Sequence, residues 1–252
     1  FGAEVLGFYD RAFQMLMLPL NQLNAPSTTV ALPVLSSLQK KEDEFNRFLV
    51  KGQTVMTSVV AVTFAFASAQ AVDAVSIFLG PGWEKSALIF QILSLAGVLQ
   101  AASYATYWVF LAKGLTASNL RFALISRPIV ILVILGGSFW GVYGVAIAYG
   151  GGLVFNWIFG LWWIRKAANA PAGQMFWSGF RIMAIYAIAA CVGAFVSVLM
   201  DSNGMAVRMS VVSLAFATAL FALWVVLPSY RRDLQTVWSF GMGAIRRNQS
   251  SS

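Results

Sequence analysis

The chain has 252 residues, of which 59% are hydrophobic and only 10% are charged, and its mean hydropathy is +0.75. This composition excludes an ordinary soluble domain and predicts an all-α integral membrane protein. The formal net charge of +8 is not a nucleic-acid signature, because no basic run is interleaved with aromatics in a polar domain, and membrane proteins collect Lys and Arg on cytoplasmic loops.

Apolar runs long enough to cross a bilayer, about twenty residues each, define the predicted architecture. We predict seven spans in chain order, at 6–35, 54–79, 87–111, 123–139, 142–164, 183–199 and 206–227. The connection 39–51 is predicted to be an amphipathic helix or loop at the membrane face. The connection 166–181 is predicted to lie along the membrane interface. The basic cytoplasmic tail 229–252 is assigned no regular structure.

Turn and packing signals divide these spans. Gly80-Pro81-Gly82-Trp83 predicts a turn at the membrane interface after the second span, and the Gly-rich stretch 140–146 predicts a tight reversal between the fourth and fifth. Gly144, Ala148 and Gly152 recur every four residues, which predicts that another helix approaches closely there.

The first predicted span carries polar residues that a plain membrane anchor does not need. At about 100° per residue, Arg11, Gln14, Asn21, Asn24 and Thr28 fall on one stripe of a helix. Because lipid cannot solvate this stripe, we expect it to face other helices or a water-filled cavity. Prolines recur every seven residues on a different face and predict bends, at positions 19, 26 and 33.

The same residues carry a family resemblance. The run Leu6-Gly7-x-Tyr9-x-Arg11-Ala12, followed by Leu18-Pro19, Ala25-Pro26 and Leu32-Pro33-x-Leu35-Ser36-x-Leu38-Gln39, resembles the bacterial polysaccharide transporters, the oligosaccharide flippase branch of the multidrug/oligosaccharidyl-lipid/polysaccharide exporter superfamily. A second block, 114–148 with its Gly-x-x-Gly-Val-Ala turn, is also similar to the flippases.

The resemblance implies a fold, an activity and partners. In the family fourteen spans form two bundles, so this chain would supply most of the second bundle, and we interpret it as a fragment whose N-terminal half is missing. The implied activity is flipping of undecaprenyl-diphosphate-linked oligosaccharide repeat units across the bacterial inner membrane, for exopolysaccharide, capsule or the O-antigen of lipopolysaccharide. Membrane lipid, polysaccharide polymerase and export machinery are the further implied partners, and no cofactor is expected.

A flippase cavity needs cations or amide donors for a diphosphate, and amides, hydroxyls and aromatic faces for sugars. The candidate substrate-binding residues are Arg11, Gln14, Asn21 and Asn24 on the first span, Gln100, Tyr104 and Tyr107 on the third, and Asn156 on the fifth. Arg11 and Asn21 rank first, and no catalytic or metal-binding residue is predicted.

Each candidate has a structural alternative. Arg11 can be an interfacial residue paired with Asp10 or Glu4, and Asn21 and Asn24 can bond carbonyls freed by Pro26 or those of a neighbouring helix. Tyr104, Tyr107 and Trp108 can be packing or aromatic-belt residues.

Three further residues have a default interpretation. Arg127, near a predicted cytoplasmic end, is interpreted as a topological anchor. Asp73 is either a proton relay or an acid at a helix end near water. Cys191, the single cysteine, is expected to be a small buried side chain.

The distribution of cations predicts the orientation. If the connection after the first span is cytoplasmic, 14 of the 17 Lys and Arg residues lie on the cytoplasmic side, which leaves the C-terminus inside.

Two other functions compete with the flippase. A drug or cation exporter of the same superfamily would need carboxylates in its cavity. A membrane glycosyltransferase, ligase or polymerase would need larger outer connections than the three predicted here, at 80–86, 140–141 and 200–205.

Overall fold

The structure is a computed structural model that describes residues 2–249, and the side chains of residues 24–26 and 241–249 lie outside this description. In the described part the chain forms α-helices and no strand. The helices are α1 (Ala3–Ser37), α2 (Glu42–Ala69), α3 (Ala71–Leu79), α4 (Lys85–Ala112), α5 (Thr116–Gly137), α6 (Gly141–Ala168), α7 (Ala172–Leu199), α8 (Met205–Val226) and α9 (Pro228–Gln249), with a short 3-10 turn at Ser138–Trp140.

The predicted all-α membrane protein is confirmed. By length and composition, five helical segments can cross a membrane: Glu42–Ala69, Lys85–Ala112, Thr116–Ala168, Ala172–Leu199 and Met205–Val226. The third of these contains two helices, α5 and α6, which reverse at Gly141. α1 is not in this set, because its apolar sequence is interrupted by Asn21, Gln22 and Asn24.

α4 is the central helix of the bundle. It packs against α1, α2 and α6, while α7 packs on α2, α8 on α7 and α5 on α6. Apolar residues therefore surround α4, and Leu93, Val109 and Phe110 are almost completely buried. On α1 the side facing α4 is the apolar row Ala12, Leu16 and Leu20, four residues apart, as expected for one face of a helix.

Several helices extend beyond the predicted spans. α2 begins at Glu42, so much of the connection 39–51 is its first turns, and only residues 169–171 separate α6 from α7, where the sequence predicted an interfacial connection over 166–181. Hydropathy detects the apolar part of a helix and misses its polar ends, which are equally helical here. α1 is continuous through the positions of all three prolines.

The predicted second span, 54–79, is divided at Gln70 into α2 and α3. Gln70 is buried and donates to Ser213 Oγ at 3.4 Å, while Gln91 Nε2 of α4 donates to the Ser68 carbonyl at 3.1 Å. A side-chain amide thus satisfies a carbonyl beside the break, which lowers the cost of interrupting a buried helix.

The expected turns and the close helix contact are observed. Gly80 and Gly82 have φ of 84° and 92° between α3 and α4, and Gly141 has φ of 75° at the reversal between α5 and α6. The helix that approaches Gly144, Ala148 and Gly152 is α5, where Gly137 and Val130 are the neighbours. These small residues let the two backbones of the hairpin come into contact.

The tail assigned no regular structure is α9, a correction for the described residues 229–249. Tyr230 and Asp233 are buried, and Phe240 lies 5.7 Å from the Phe48 ring of α2. The helix forms because these residues, three and seven positions apart, lie on one face that meets the start of α2 and the interior of α7.

Candidate functional site

A cavity of about 400 Å³ lies between α4, α5 and α6. Its lining mixes amides, hydroxyls, phenols and one guanidinium with aromatic rings, and consists of Gln100, Ser103, Tyr104, Thr106, Tyr107, Phe110, Asn119, Phe122, Ala123, Arg127, Val130, Tyr149, Leu153 and Asn156. Four of the eight candidate residues, Gln100, Tyr104, Tyr107 and Asn156, are therefore brought together in one cavity.

α4 supplies one wall of the cavity through residues spaced three and four apart. Gln100, Tyr104 and Tyr107 share this face, and the two phenol rings lie edge to face with centroids 5.8 Å apart. Trp108 points the other way, is buried, and donates from Nε1 to Thr28 Oγ1 at 3.1 Å. Trp108 is therefore a packing residue, whereas the side chains of the two tyrosines are open to the cavity.

α6 supplies the opposite wall through Tyr149, Leu153 and Asn156, again at helical spacing. The Tyr149 hydroxyl donates to Gln100 Oε1 at 3.3 Å and so joins the two walls. On its other side the Tyr149 ring meets Phe13 of α1 edge to face at 5.7 Å. Tyr149 therefore connects α1, α4 and α6 at one end of the cavity.

Arg127 of α5 is the cation of the cavity, a position that its interpretation as a topological anchor did not predict. α5 begins at Thr116, so Arg127 lies eleven residues, or about 17 Å, along a 22-residue helix, close to its middle. Pro128 likewise lies in the helix interior. Arg127 lines the cavity and is close enough to Tyr149 for electrostatic interaction.

One buried hydroxyl of the cavity wall has no hydrogen-bond partner among the described residues. Thr106 is 4% exposed, and its Oγ1 has no hydrogen-bond partner among the described residues. A buried polar atom without a partner costs free energy unless a water or ligand atom satisfies it. The Phe122 ring, which stacks on Phe159 at 5.6 Å, provides an apolar surface on the α5 side of the cavity.

The polar residues of α1 do not line this cavity. Arg11, Gln14 and Asn21 are exposed on the side of α1 away from α4. Arg11 Nη1 donates to Gln14 Oε1 at 3.0 Å, and Gln14 Nε2 donates to Asp10 Oδ2 at 2.7 Å, so the three side chains form a local chain on one helix. The Asn24 side chain lies outside the described residues.

Arg11 is located near one end of α1 rather than at its centre. Its guanidinium lies 5.8 Å from the centroid of the Trp83 ring, which belongs to the connection between α3 and α4. In that connection Glu84 accepts the Gly82 N–H at 2.9 Å, and this backbone hydrogen bond lowers the pKa of the Glu84 carboxyl. The Arg11 guanidinium thus has an aromatic ring within the range of a cation–π contact.

Two alternatives were expected for Asp73, a proton relay and an acid at a helix end near water. Of these, the acid near water is excluded, because Asp73 is 0% exposed, while the relay role stays a prediction. Asp73 bonds Arg208 of α8 at two points, with Arg208 Nε 2.9 Å from Oδ2 and Nη2 in contact with Oδ1. This two-point bond joins α3 to α8. Cys191 is also a correction, because it is exposed on α7.

Sequence analysis missed Arg127, Tyr149, Asn119, Ser103 and Thr106 as cavity residues. A usable signal exists for α6, where Tyr149, Leu153 and Asn156 follow the spacing of one helix face, and for α5, where Asn119, Ala123 and Arg127 do. Neither pattern by itself shows that the two faces meet.

Fold and cavity define the class of protein: a helical membrane protein with a polar, aromatic-lined cavity inside an apolar bundle. Residues 1–88 match the family model described as "Polysaccharide biosynthesis protein". The chain is 25% identical over 236 residues to the teichuronic acid biosynthesis protein TuaB of Bacillus subtilis (strain 168), covering 91% of this chain and 48% of that protein. It is 24% identical over 139 residues to the amylovoran biosynthesis protein AmsL of Erwinia amylovora, covering 55% of this chain and 36% of that protein.

These matches confirm the resemblance to the polysaccharide transporter family. The chain spans about half the length of TuaB and about a third of AmsL.

Proposed function

We propose that this chain forms part of a flippase that moves polyprenyl-diphosphate-linked oligosaccharides across the bacterial inner membrane. Two curated relatives are named for the biosynthesis of polysaccharides, which supports a role in making or exporting such a polymer. A membrane helix bundle with an internal polar cavity is what translocation of a hydrophilic group requires, because the hydrocarbon core cannot solvate sugars or phosphates.

One observation carries the proposal: Arg127 lies in the middle of a membrane helix and opens into a cavity with amides and phenols. In this proposal that part of α5 lies within the membrane, where a charged side chain is costly, and such residues are rare and mark substrate pathways. The guanidinium offers hydrogen bonds to an anionic group of the substrate, while Gln100, Asn156 and the two α4 tyrosines suit sugar hydroxyls and sugar faces.

The exposed polar side of α1 supports a second part of the same pathway. Because Gln14 and Asn21 are open and lie away from α4, we propose that they face the translocation pathway. The chain spans about half the length of TuaB, so the pathway in this proposal is completed by the N-terminal half of the same protein, and transport proceeds by rocking of the two bundles.

We infer the orientation of the chain in the membrane from the distribution of its Lys and Arg residues. Arg127 lies near the middle of α5 and is therefore counted on neither side of the membrane. Of the 17 Lys and Arg residues, 13 then lie on the side that carries the connection between α1 and α2. This side is proposed to be cytoplasmic, with the C-terminus also inside.

The cavity disfavours the drug or cation exporter. A site for a cationic drug needs carboxylates, whereas the residues lining this cavity carry an arginine and no Asp or Glu in the described part of the chain.

The experiment uses the full-length gene in its source bacterium. Deletion is expected to cause intracellular accumulation of lipid-linked repeat units and loss of surface polymer. Complementation with Arg127→Gln should fail although the protein is present in the membrane, Arg127→Lys should restore part of the export, and Arg121→Gln, an exposed cation one to two turns earlier on α5, should restore it fully. Normal polymer after deletion, or altered drug sensitivity alone, would refute the flippase.

A further inference from the structure

The last helix begins directly where a lipid-facing helix ends. Only Leu227 separates α8 from α9, and the final turn of α8 exposes Trp224, Val225 and Val226, the last with 71% of its surface free. An apolar, tryptophan-containing helix end of this kind is stable at the boundary between hydrocarbon and headgroups. α9 therefore starts at the membrane surface.

The corner between the two helices is held in a defined geometry. Arg231 donates to the carbonyls of Trp224 at 2.7 Å and Val225 at 2.5 Å, and its guanidinium lies 5.1 Å from the centroid of the Trp224 ring. These bonds satisfy carbonyls that the end of α8 leaves free. The Arg231 side chain therefore binds the end of α8.

One face of α9 is fastened to the bundle. Asp233 accepts two hydrogen bonds from Arg181 of α7, at 2.8 and 2.7 Å, and the Tyr230 hydroxyl donates to that of Tyr186 at 3.3 Å. With Phe240 against Phe48, α9 packs on the first turns of α2 and is bonded to the interior of α7. Its position on the bundle does not depend on lipid.

The opposite face of α9 is open and carries a cation and a large aromatic. Arg232, Gln235, Trp238 and Ser239 are exposed, and 73% of the Trp238 surface is free. An indole combines an apolar body with one N–H donor and is enriched at headgroup depth, and a guanidinium bonds phosphate oxygens at two points. The sequence adds two more cations on α9, Arg246 and Arg247, whose side chains lie outside the described residues.

We propose that α9 is an interfacial helix whose open face, formed by Arg232, Gln235, Trp238 and Ser239, binds the anionic headgroups of the surrounding membrane lipid. The charge of the face is complementary to phosphatidylglycerol or a similar anionic phospholipid, and the helix runs along the surface at which α8 ends. Through the bond between Asp233 and Arg181, bound lipid would hold α7 in place at Arg181. This inference is independent of what the protein transports.

The test places a fluorescent reporter on the open face. In the full-length protein with Cys191→Ser and any other cysteine replaced, Ser239→Cys is labelled with an environment-sensitive dye. The protein is then inserted into nanodiscs of phosphatidylcholine alone or of phosphatidylcholine mixed with phosphatidylglycerol. We expect a blue shift of the emission when phosphatidylglycerol is added, loss of that shift in Arg232→Glu, and its recovery in Arg232→Lys.

The matched control is Arg121→Glu, which reverses an exposed cation at the start of α5, on the same proposed side of the membrane. It should keep the shift. An aqueous emission in both lipid mixtures, or a shift that survives Arg232→Glu, would overturn the proposal, as would equal loss in Arg121→Glu, which would show a general charge effect. An unchanged melting temperature of Arg232→Glu in detergent separates lost lipid binding from misfolding.

Discussion

Arg208 and Asp73 form a two-point ion pair that ties α8 to α3, although 135 positions separate them in the chain. Asp73 is fully buried, and Arg208 also bonds the exposed Asp201 at 3.3 Å. The pair lies directly after the break at Gln70, so it fixes the short helix α3 on the bundle.

Breaking this pair should destabilise the protein strongly. Asp73→Ala leaves the Arg208 guanidinium without its buried partner, and removing one member of a buried pair costs about 3–5 kcal/mol. We expect a clear fall of the melting temperature in detergent. Asp201→Asn is the matched control and should change it little, because this carboxyl is 86% exposed. Equal effects of the two changes would contradict the conclusion that the pair of Asp73 and Arg208 stabilises the protein.

Filling the cavity should abolish export without unfolding the protein. Ala123 lines the cavity, and Ala123→Phe places a ring in its space of about 400 Å³. The expected result is loss of surface polymer with normal amounts of protein in the membrane. Leu124→Phe adds a similar ring one residue away, where the side chain is 65% exposed, and should leave export intact. Full export by Ala123→Phe would show that the cavity is not on the pathway.

The close crossing of α5 and α6 should not tolerate a methyl group. A Cβ at Gly144 would overlap the carbonyl oxygen of Gly137, whereas at Gly150 nothing lies within 4 Å. Gly144→Ala is expected to cost about 1–3 kcal/mol, as overpacking does. Gly150→Ala should be neutral or slightly stabilising in a helix. Thermal unfolding of both variants decides this, and a neutral Gly144→Ala would mean that the helices are further apart.

The polar side of α1 should be reached by water. Asn21→Cys in the full-length protein, with its other cysteines replaced, is expected to react with a membrane-impermeant maleimide, because the residue is exposed and proposed to face the pathway. Leu214→Cys on α8, where the side chain is 68% exposed on an apolar surface, should stay unlabelled in the bilayer. Labelling only at Leu214→Cys, or at neither position, would place the α1 stripe against lipid or another helix.

Local patterns in the sequence determined the helical membrane class, the turns at Gly80 and Gly141, and the polar stripe of α1. Composition, glycine positions and the spacing of side chains on one helix suffice for these, since each depends on neighbours along the chain. They also supplied four of the cavity residues, on α4 and α6.

Only the tertiary structure decided which polar faces meet. It placed Arg127 beside Tyr149, buried Asp73 against Arg208, and folded the basic tail into a helix fastened through Asp233 to Arg181. These relationships join residues far apart in the chain, and their energies arise from burial and from hydrogen bonds across helices. Hydropathy also underestimated the length of α5, which is why an arginine at mid-helix had the sequence signature of one at a helix end.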